Sequence, residues 1–347
     1  MTEEGRSGFR TRRGFIGLAA AGVVGSALPG CTYLGSFLPP AIGHLPEAKR
    51  QTTFLTPNDD FYLVAIDPDF RPELTLATVE ERWSLELVGL NGEARHLGYD
   101  DLNARARHII PYTFECIGNP VGGQLIGTAE WRVVPLRDIL ADAPGGIEGA
   151  QTVLFEALDG FYSSVTLDRA TDDYAFLALD MNGVPLPLGH GFPARVILPD
   201  LYGKKQPRWL HRVTLLEDAS PTSYWERRFW KGSQPPRTTA RFDLVDSATA
   251  EAPLSLTGMA FAGADGVHAV EVSLDDGATW VRCDLVTPTQ PHVWSLWSYT
   301  WPRPTQGRHR LAVRAIDSQG RVQTGRRRSR FPSGASGWHR VSVEVTP

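Results

Sequence analysis

Cys116 is the residue with the most chemistry to offer. It stands in Thr113-Phe114-Glu115-Cys116-Ile117-Gly118-Asn119-Pro120, where an apolar segment ends and a Gly-rich loop, Val121-Gly122-Gly123-Gln124, begins. A thiolate placed there is a soft ligand, suited to a soft, redox-active metal. A second stretch, Gly189-His190-Gly191-Phe192-Pro193-Ala194-Arg195, supplies groups for an anionic ligand. Its glycines permit close backbone approach, His190 can donate to a ring or a phosphate, and Arg195 can hold phosphate oxygens with two donors. A third, Tyr202-Gly203-Lys204-Lys205-Gln206-Pro207-Arg208-Trp209, adds three cations behind Gly203. A fourth, Thr56-Pro57-Asn58-Asp59-Asp60-Phe61-Tyr62, sets Asn58 ahead of an aromatic pair.

Other chemistries find little support. No serine sits in a nucleophile elbow, and the nine histidines show no paired zinc spacing. The three cysteines, Cys31, Cys116 and Cys283, form neither a haem-attachment motif nor an iron–sulfur set. A Cys116–Cys283 disulfide is the competing reading for Cys116 outside the cytoplasm, and Cys283 reads as a small buried residue in a strand. A net charge of −4 gives no reason to expect nucleic acid.

The elements that must position these groups are short. At 347 residues the chain predicts about two domains. Residues 51–245 read as a mixed α+β unit. Strand-like runs at 83–88, 152–157, 195–198 and 211–215 are punctuated by Gly and Pro, and Leu136-Arg137-Asp138-Ile139-Leu140 is the clearest helical pattern. Tyr224, Trp225, Phe229 and Trp230 lie in a connector and are expected to pack between domains. Residues 246–347 read as an immunoglobulin-like β-sandwich: strands near 254–263, 267–274, 294–299 and 309–316 alternate with turns such as Asp275-Asp276-Gly277. The run Arg326-Arg327-Arg328-Ser329-Arg330 reads as a solvated loop.

Phe114-Glu115-Cys116-Ile117-Gly118-Asn119, followed by Gly127-Thr128-Ala129-Glu130-Trp131-Arg132-Val133-Val134-Pro135-Leu136, resembles the signature of the sulfite oxidase family of molybdenum enzymes. Residues 269–280 and 297–301 are similar to that family's dimerisation domain. The resemblance implies a sulfite-oxidase-type catalytic domain and a molybdenum–molybdopterin cofactor whose metal takes the Cys116 sulfur. It also implies contacts to the pterin and its phosphate from Asn58, Phe61, Tyr62, His190, Arg195, Gly203, Lys204, Lys205 and Arg208. Arg208 stands where the family has lysine. Two departures bear on substrate: sulfite oxidases follow the Cys-x-Gly-Asn run with arginine, where this chain has Pro120, and relatives place arginine after the aromatic pair, where it has Leu63-Val64. A doubly charged oxyanion needs several desolvated cations. The expected substrate is therefore a small neutral or weakly charged molecule, such as a sulfoxide or N-oxide, rather than sulfite.

The N-terminus supports a protein folded around a cofactor before transport. Arg12-Arg13-Gly14-Phe15-Ile16 precedes an uncharged stretch to Gly30, the pattern of a twin-arginine signal over residues 1–31. Residues 32–50 read as a linker. Leu28-Pro29-Gly30-Cys31 leaves two outcomes open, lipidation of Cys31 with attachment to a membrane surface, or cleavage nearby. The expected partners are a separate haem or quinone-linked electron carrier and a second copy of the chain. The rival reading is a cofactor-free exported binding or scaffold protein.

Overall fold

The computed structural model describes residues 53–218, 222–243, 245 and 248–347. The twin-arginine stretch, Cys31 and the linker lie outside the described residues. The first half contains strands β1 (Ser84–Val88), β2 (Ala94–Gly98), β3 (His108–Glu115), β4 (Ile126–Pro135), β5 (Thr152–Ala157), β6 (Tyr162–Thr166), β7 (Phe176–Met181), β8 (Val184–Pro185), β9 (Arg195–Ile197) and β10 (Leu210–Leu216). Four short helices accompany them: α1 (Val79–Arg82), α2 (Tyr99–Arg105), α3 (Leu136–Leu140) and α4 (Leu167–Ala170).

The strands make two sheets. One runs β2-β1-β10-β5-β6 and the other β3-β4-β7-β8, with β9 paired to β7. Their inner faces share one apolar core, which includes Leu85, Leu87, Phe155 and Val213 from the first sheet and Phe114, Trp131, Val133 and Leu177 from the second. β1 shows why these residues form a strand: its burial alternates, with Leu85 and Leu87 inward, the period of a half-buried sheet. β9 is buried on both faces, so Arg195 enters the interior as part of a core strand.

The second half contains β11 (Thr239–Phe242), β12 (Ala248–Thr249), β13 (Leu254–Phe261), β14 (Val267–Ser273), β15 (Val281–Arg282), β16 (Asp284–Val286), β17 (Ser295–Trp301), β18 (Gly307–Asp317) and β19 (His339–Thr346). They form a β-sandwich of sheets β11-β13-β17-β16 and β12-β19-β18-β14-β15. Its core holds Phe242, Leu256, Val270, Trp297, Leu311 and Val343. The turn after β14 has left-handed backbone at Asp276 and Gly277 (φ 59° and 100°), as a tight hairpin requires. Cys283 is buried but sits between β15 and β16 rather than within a strand. Both Cys116 and Cys283 are free, so the disulfide reading of Cys116 is set aside.

Specific bonds join the halves around the thiol loop. The Thr113 amide donates to the His292 carbonyl (2.9 Å), and the Trp294 amide donates to Thr113 Oγ1 (3.0 Å). Arg241 donates to the Gly123 carbonyl (2.7 Å). Gly122 has φ 74°, and a Cβ there would lie 2.3 Å from the His339 ring. Glycine thus lets the sandwich press directly on the loop that follows Cys116.

A candidate molybdenum-cofactor site

Cys116 follows the last residue of β3, where the strand leaves its sheet and the loop turns. The Asn119 amide closes the turn on the Cys116 carbonyl (2.9 Å), and Asn119 Oδ1 accepts from the Leu125 amide (3.0 Å). The thiol is half-buried and accepts from the Gly118 amide at 3.3 Å. Burial pushes its pKa up to about 11, against a lowering by the Gly118 amide. Such a thiol stays protonated at neutral pH unless a nearby positive centre stabilises the thiolate; a coordinated metal does so directly. Glu115, beside it, is buried with Oε1 on the Asn119 side chain (3.0 Å) and Oε2 without a partner. Burial raises its carboxyl to about 7.

Arg195 is the second unusual group. It is 6% exposed and forms no ion pair among the described residues. Its guanidinium lies over the rings of Phe114 (4.1 Å) and Trp131 (5.1 Å). Nη1 donates to the His190 carbonyl (3.2 Å), and Nε has no partner. Burial, then the Arg208 charge, pulls its pKa down to about 9. A buried cation with an orphaned donor and no carboxylate is costly, and an anion is what it lacks.

Arg208 is half-buried, stacks on Trp209 (4.3 Å) and donates to the carbonyls of Gly189 (2.6 Å) and Val64 (2.9 Å). It ties the segment after the aromatic pair to the glycine loop. Tyr62 links the two ends of the site. Burial first, and then the Cys116 charge, raises its pKa well above the usual tyrosine value, while Arg195 and Arg208 act in the opposite direction. A Cβ on Gly203 would stand 3.0 Å from the Tyr62 hydroxyl, so glycine there leaves the hydroxyl room. Phe61 stacks on Tyr62 (5.5 Å) and meets Phe114, Trp131 and His190 edge-on.

The remaining expected residues fall into place differently. His190 is buried, and its Nε2 donates to the Asn58 carbonyl (2.9 Å); burial lowers its pKa to about 4. It is neutral at pH 7, so it brings no charge to a phosphate. Asn58 donates to the Met181 carbonyl (3.3 Å) and accepts from Asn182 (2.8 Å), which makes its side chain a brace between segments. Lys204 donates to the Lys231 carbonyl, and burial lowers its pKa to about 8. Lys205 needs the plainest correction. Its ammonium meets Glu226 Oε1 (2.7 Å), the Ser164 carbonyl (2.8 Å) and Ser223 Oγ (2.7 Å). Those three acceptors match its three donors and leave none for a phosphate.

One residue that the sequence reading left in a solvated loop reaches the site instead. Arg330 comes from the β18–β19 connection and approaches the Gly118 carbonyl at 3.5 Å. It lowers the Cys116 pKa slightly against burial. Its neighbours are locked to the first half: the Lys231 amide donates to the Pro332 carbonyl (2.8 Å), Arg237 donates to Ser333, and Phe331 meets Trp230 edge-on at 5.2 Å. Trp230, Ile117 and Tyr202 form a small apolar cluster beside Cys116. No signal short of the fold marks Arg330, because it lies more than two hundred positions beyond the thiol.

Among the described residues no three His, Cys, Asp or Glu side chains gather into a ligand set. The protein therefore offers a metal one soft sulfur, and the other donors must come with a cofactor. A single free thiol and an orphaned, buried arginine, both close enough to Tyr62 to act on its proton, fit a group with a metal at one end and an anion at the other.

Comparison with known proteins identifies the family. Residues 73–225 match the oxidoreductase molybdopterin binding domain, and residues 237–346 match the Mo-co oxidoreductase dimerisation domain. The chain is 32% identical to sulfite oxidase of Gallus gallus over 323 residues, covering 78% of this chain and 68% of the relative. It is 30% identical to mitochondrial sulfite oxidase of Rattus norvegicus over 355 residues, covering 87% and 64%. It thus spans about two thirds of the length of these relatives. In fold it is like the sulfane dehydrogenase SoxCD of Paracoccus pantotrophus, with a TM-score of 0.72 at 18% identity over 95% of this chain and 93% of that one. The chain belongs to the sulfite oxidase family of molybdopterin-dependent oxidoreductases, and its cofactor is molybdenum–molybdopterin.

Proposed function

We propose that the chain transfers an oxygen atom to or from a small substrate at Cys116, with electrons passing to or from a separate carrier. The observation that supports this most is the free Cys116 thiol at the end of β3, together with the buried Arg195 and its unfilled Nε. When bound, the cofactor supplies the two-electron oxygen-atom exchange. Cys116 would bind the metal through Sγ. Arg195 would hold the anionic tail, and Arg208 fixes the loop beside it. Tyr62 keeps its proton across the working pH range and stands as a neutral donor near the sulfur. Trp230, Ile117 and Tyr202 restrict water on the remaining side.

The substrate reading is a neutral sulfoxide or N-oxide. Pro120 and Leu63 are exposed where relatives are expected to carry arginine. Arg330 favours a second reading, a singly or doubly charged oxyanion, because it returns one cation to the Cys116 loop. A panel of sulfoxides, N-oxides and sulfite, run with reduced or oxidised dye as the direction demands, separates them. If the substrate is neutral, Arg330→Met changes KM by less than about 3-fold. If sulfite is the substrate, the same change raises KM by about 10-fold or more, the worth of one charge-assisted contact, and overturns the first reading.

We also infer export by the twin-arginine route and a homodimer formed through the second domain. The basis is the Arg12-Arg13 signal pattern and the match of residues 237–346 to a dimerisation domain. An Arg12→Lys/Arg13→Lys chain should accumulate in the cytoplasm by cell fractionation. Unchanged export would remove that assignment. A monomer mass by light scattering would remove the dimer.

A further inference from the structure

The loop that carries Cys116 is closed from within. The Cys116 amide donates to the Leu125 carbonyl (2.9 Å), the Asn119 amide to the Cys116 carbonyl (2.9 Å) and the Gly123 amide to the Pro120 carbonyl (2.9 Å). All of these bonds run within residues 116–125, so none ties the Gly122-Gly123 arm to the rest of the protein. A pair of glycines is the least stiff backbone there is. This pair lies between the thiol and the start of β4 at Ile126. A soft stretch so close to a metal ligand needs a hold from outside.

Two cations of the second domain reach the loop. Arg330 approaches the Gly118 carbonyl at 3.5 Å, the outer limit of a hydrogen bond. Arg241, on β11, is better placed. Its Nη1 donates to the Gly123 carbonyl at 2.7 Å, and its Nε donates to Asp243 Oδ1 at 2.7 Å. Charge-assisted bonds of that length are the strong ones. The two side chains are buried, at 11% and 4% exposure, so water competes little for either bond. Their backbone is fixed as well. The Arg241 carbonyl accepts from Trp297 Nε1 (3.2 Å), and the Asp243 amide donates to the Thr257 carbonyl (3.0 Å). Asp243 thus aims the guanidinium, and the guanidinium holds the loop. His339 backs the same arm: its Nδ1 accepts from the Phe242 amide (3.0 Å), which sets the ring against Gly122.

We infer that Arg241 is a positioning residue for the Cys116 ligand: through its bond to Gly123, the sandwich domain sets the direction in which Sγ is presented to the metal. The expected effect on turnover rests on the oxotransferase reading above; the hold on the loop does not. Lysine is no substitute at this position. An ammonium is a point donor, whereas the planar guanidinium gives one N–H to the carboxylate and another to the carbonyl in a fixed geometry.

The test uses the full chain, with and without cofactor, as native protein, Arg241→Lys, Arg241→Met and Val270→Ala. Val270 is fully buried in the sandwich core on β14, and its truncation is the control for lost stability. In cofactor-free protein, alkylation of Cys116 by iodoacetamide is followed by mass spectrometry, with the buried Cys283 as internal reference. Arg241→Lys keeps a cation for Asp243 and should raise the Cys116 rate by about 5-fold, and Arg241→Met by about 10-fold or more, the effect of one lost hydrogen bond on loop opening. In loaded protein, both changes should lower kcat per molybdenum by about 10-fold or more and leave KM within about 3-fold, since a misdirected metal ligand slows the chemical step. Val270→Ala should lower Tm and move the Cys116 rate and kcat by less than about 2-fold.

A Cys116 rate within about 2-fold of native in Arg241→Lys overturns the inference, even where Arg241→Met fails to fold. A faster Cys116 rate with kcat per molybdenum unchanged overturns it too, because the contact would then be structural only. An equal rise in Val270→Ala does the same, since general loosening of the sandwich would explain it. Native protein that takes up no molybdenum sinks the oxotransferase reading, and the alkylation rates then decide alone whether Arg241 holds the loop.

Discussion

Cys116→Ser abolishes oxygen-atom transfer while the protein keeps its fold. The thiol is half-buried and its one polar contact among the described residues is the Gly118 amide at 3.3 Å, so the smaller hydroxyl costs little packing. The β3–β4 ladder and the Asn119 turn that shape the loop are backbone-bonded and do not need sulfur. Chemistry is the larger loss. Serine is harder and far less acidic than a thiol, and makes a poor ligand for a soft metal. Residues that merely orient a metal ligand cost about 10–100-fold when removed, and a direct ligand lies above that range. Turnover per chain should therefore fall by more than about 100-fold, with an unchanged circular dichroism spectrum. Turnover within about 3-fold of native would end the ligand assignment.

Arg195→Met separates binding from stability. In the cofactor-free protein the guanidinium has no anion, and its folded-state pKa of about 9 lies below the unfolded value. For a base, that depression means the folded state releases its proton more readily. The penalty is fully present below about pH 9 and is relieved as pH rises from there toward the ordinary arginine value. At pH 7 methionine removes all of it and fills similar space against Phe114 and Trp131, at the loss of the cation–π contacts. The apo-protein should be at least as thermostable as native, with a Tm higher by up to about 4 °C for each kcal/mol gained. The holoprotein should lose cofactor about 10-fold faster on dilution, the worth of one charge-assisted bidentate contact. A destabilised apo-protein with normal cofactor retention would show that Arg195 is a structural residue.

Local signals explain how much of the fold could be read. β5 spans Thr152–Ala157 and α3 spans Leu136–Leu140, as their patterns predict, because alternation and an N-terminal Pro135 act over a few residues. The mixed first domain and the following sandwich were legible for the same reason. Cys283 was misplaced by one step: it stands in the break between Arg282, which ends β15, and Asp284, which begins β16. Within the site, the family signature drew attention to Cys116, Arg195, Tyr62 and Gly203, which the fold gathers. It could not show that Lys205 is committed to Glu226, since the pairing crosses a loop. Nor could it show that desolvation leaves His190 neutral, or that Arg330 arrives from the other domain.

The central claim is a bond between Cys116 sulfur and molybdenum, and X-ray absorption at the molybdenum edge reads that bond directly. The native holoprotein should show one sulfur scatterer more than the Cys116→Ser protein reconstituted with the same cofactor. An identical sulfur count in the two proteins would contradict the account.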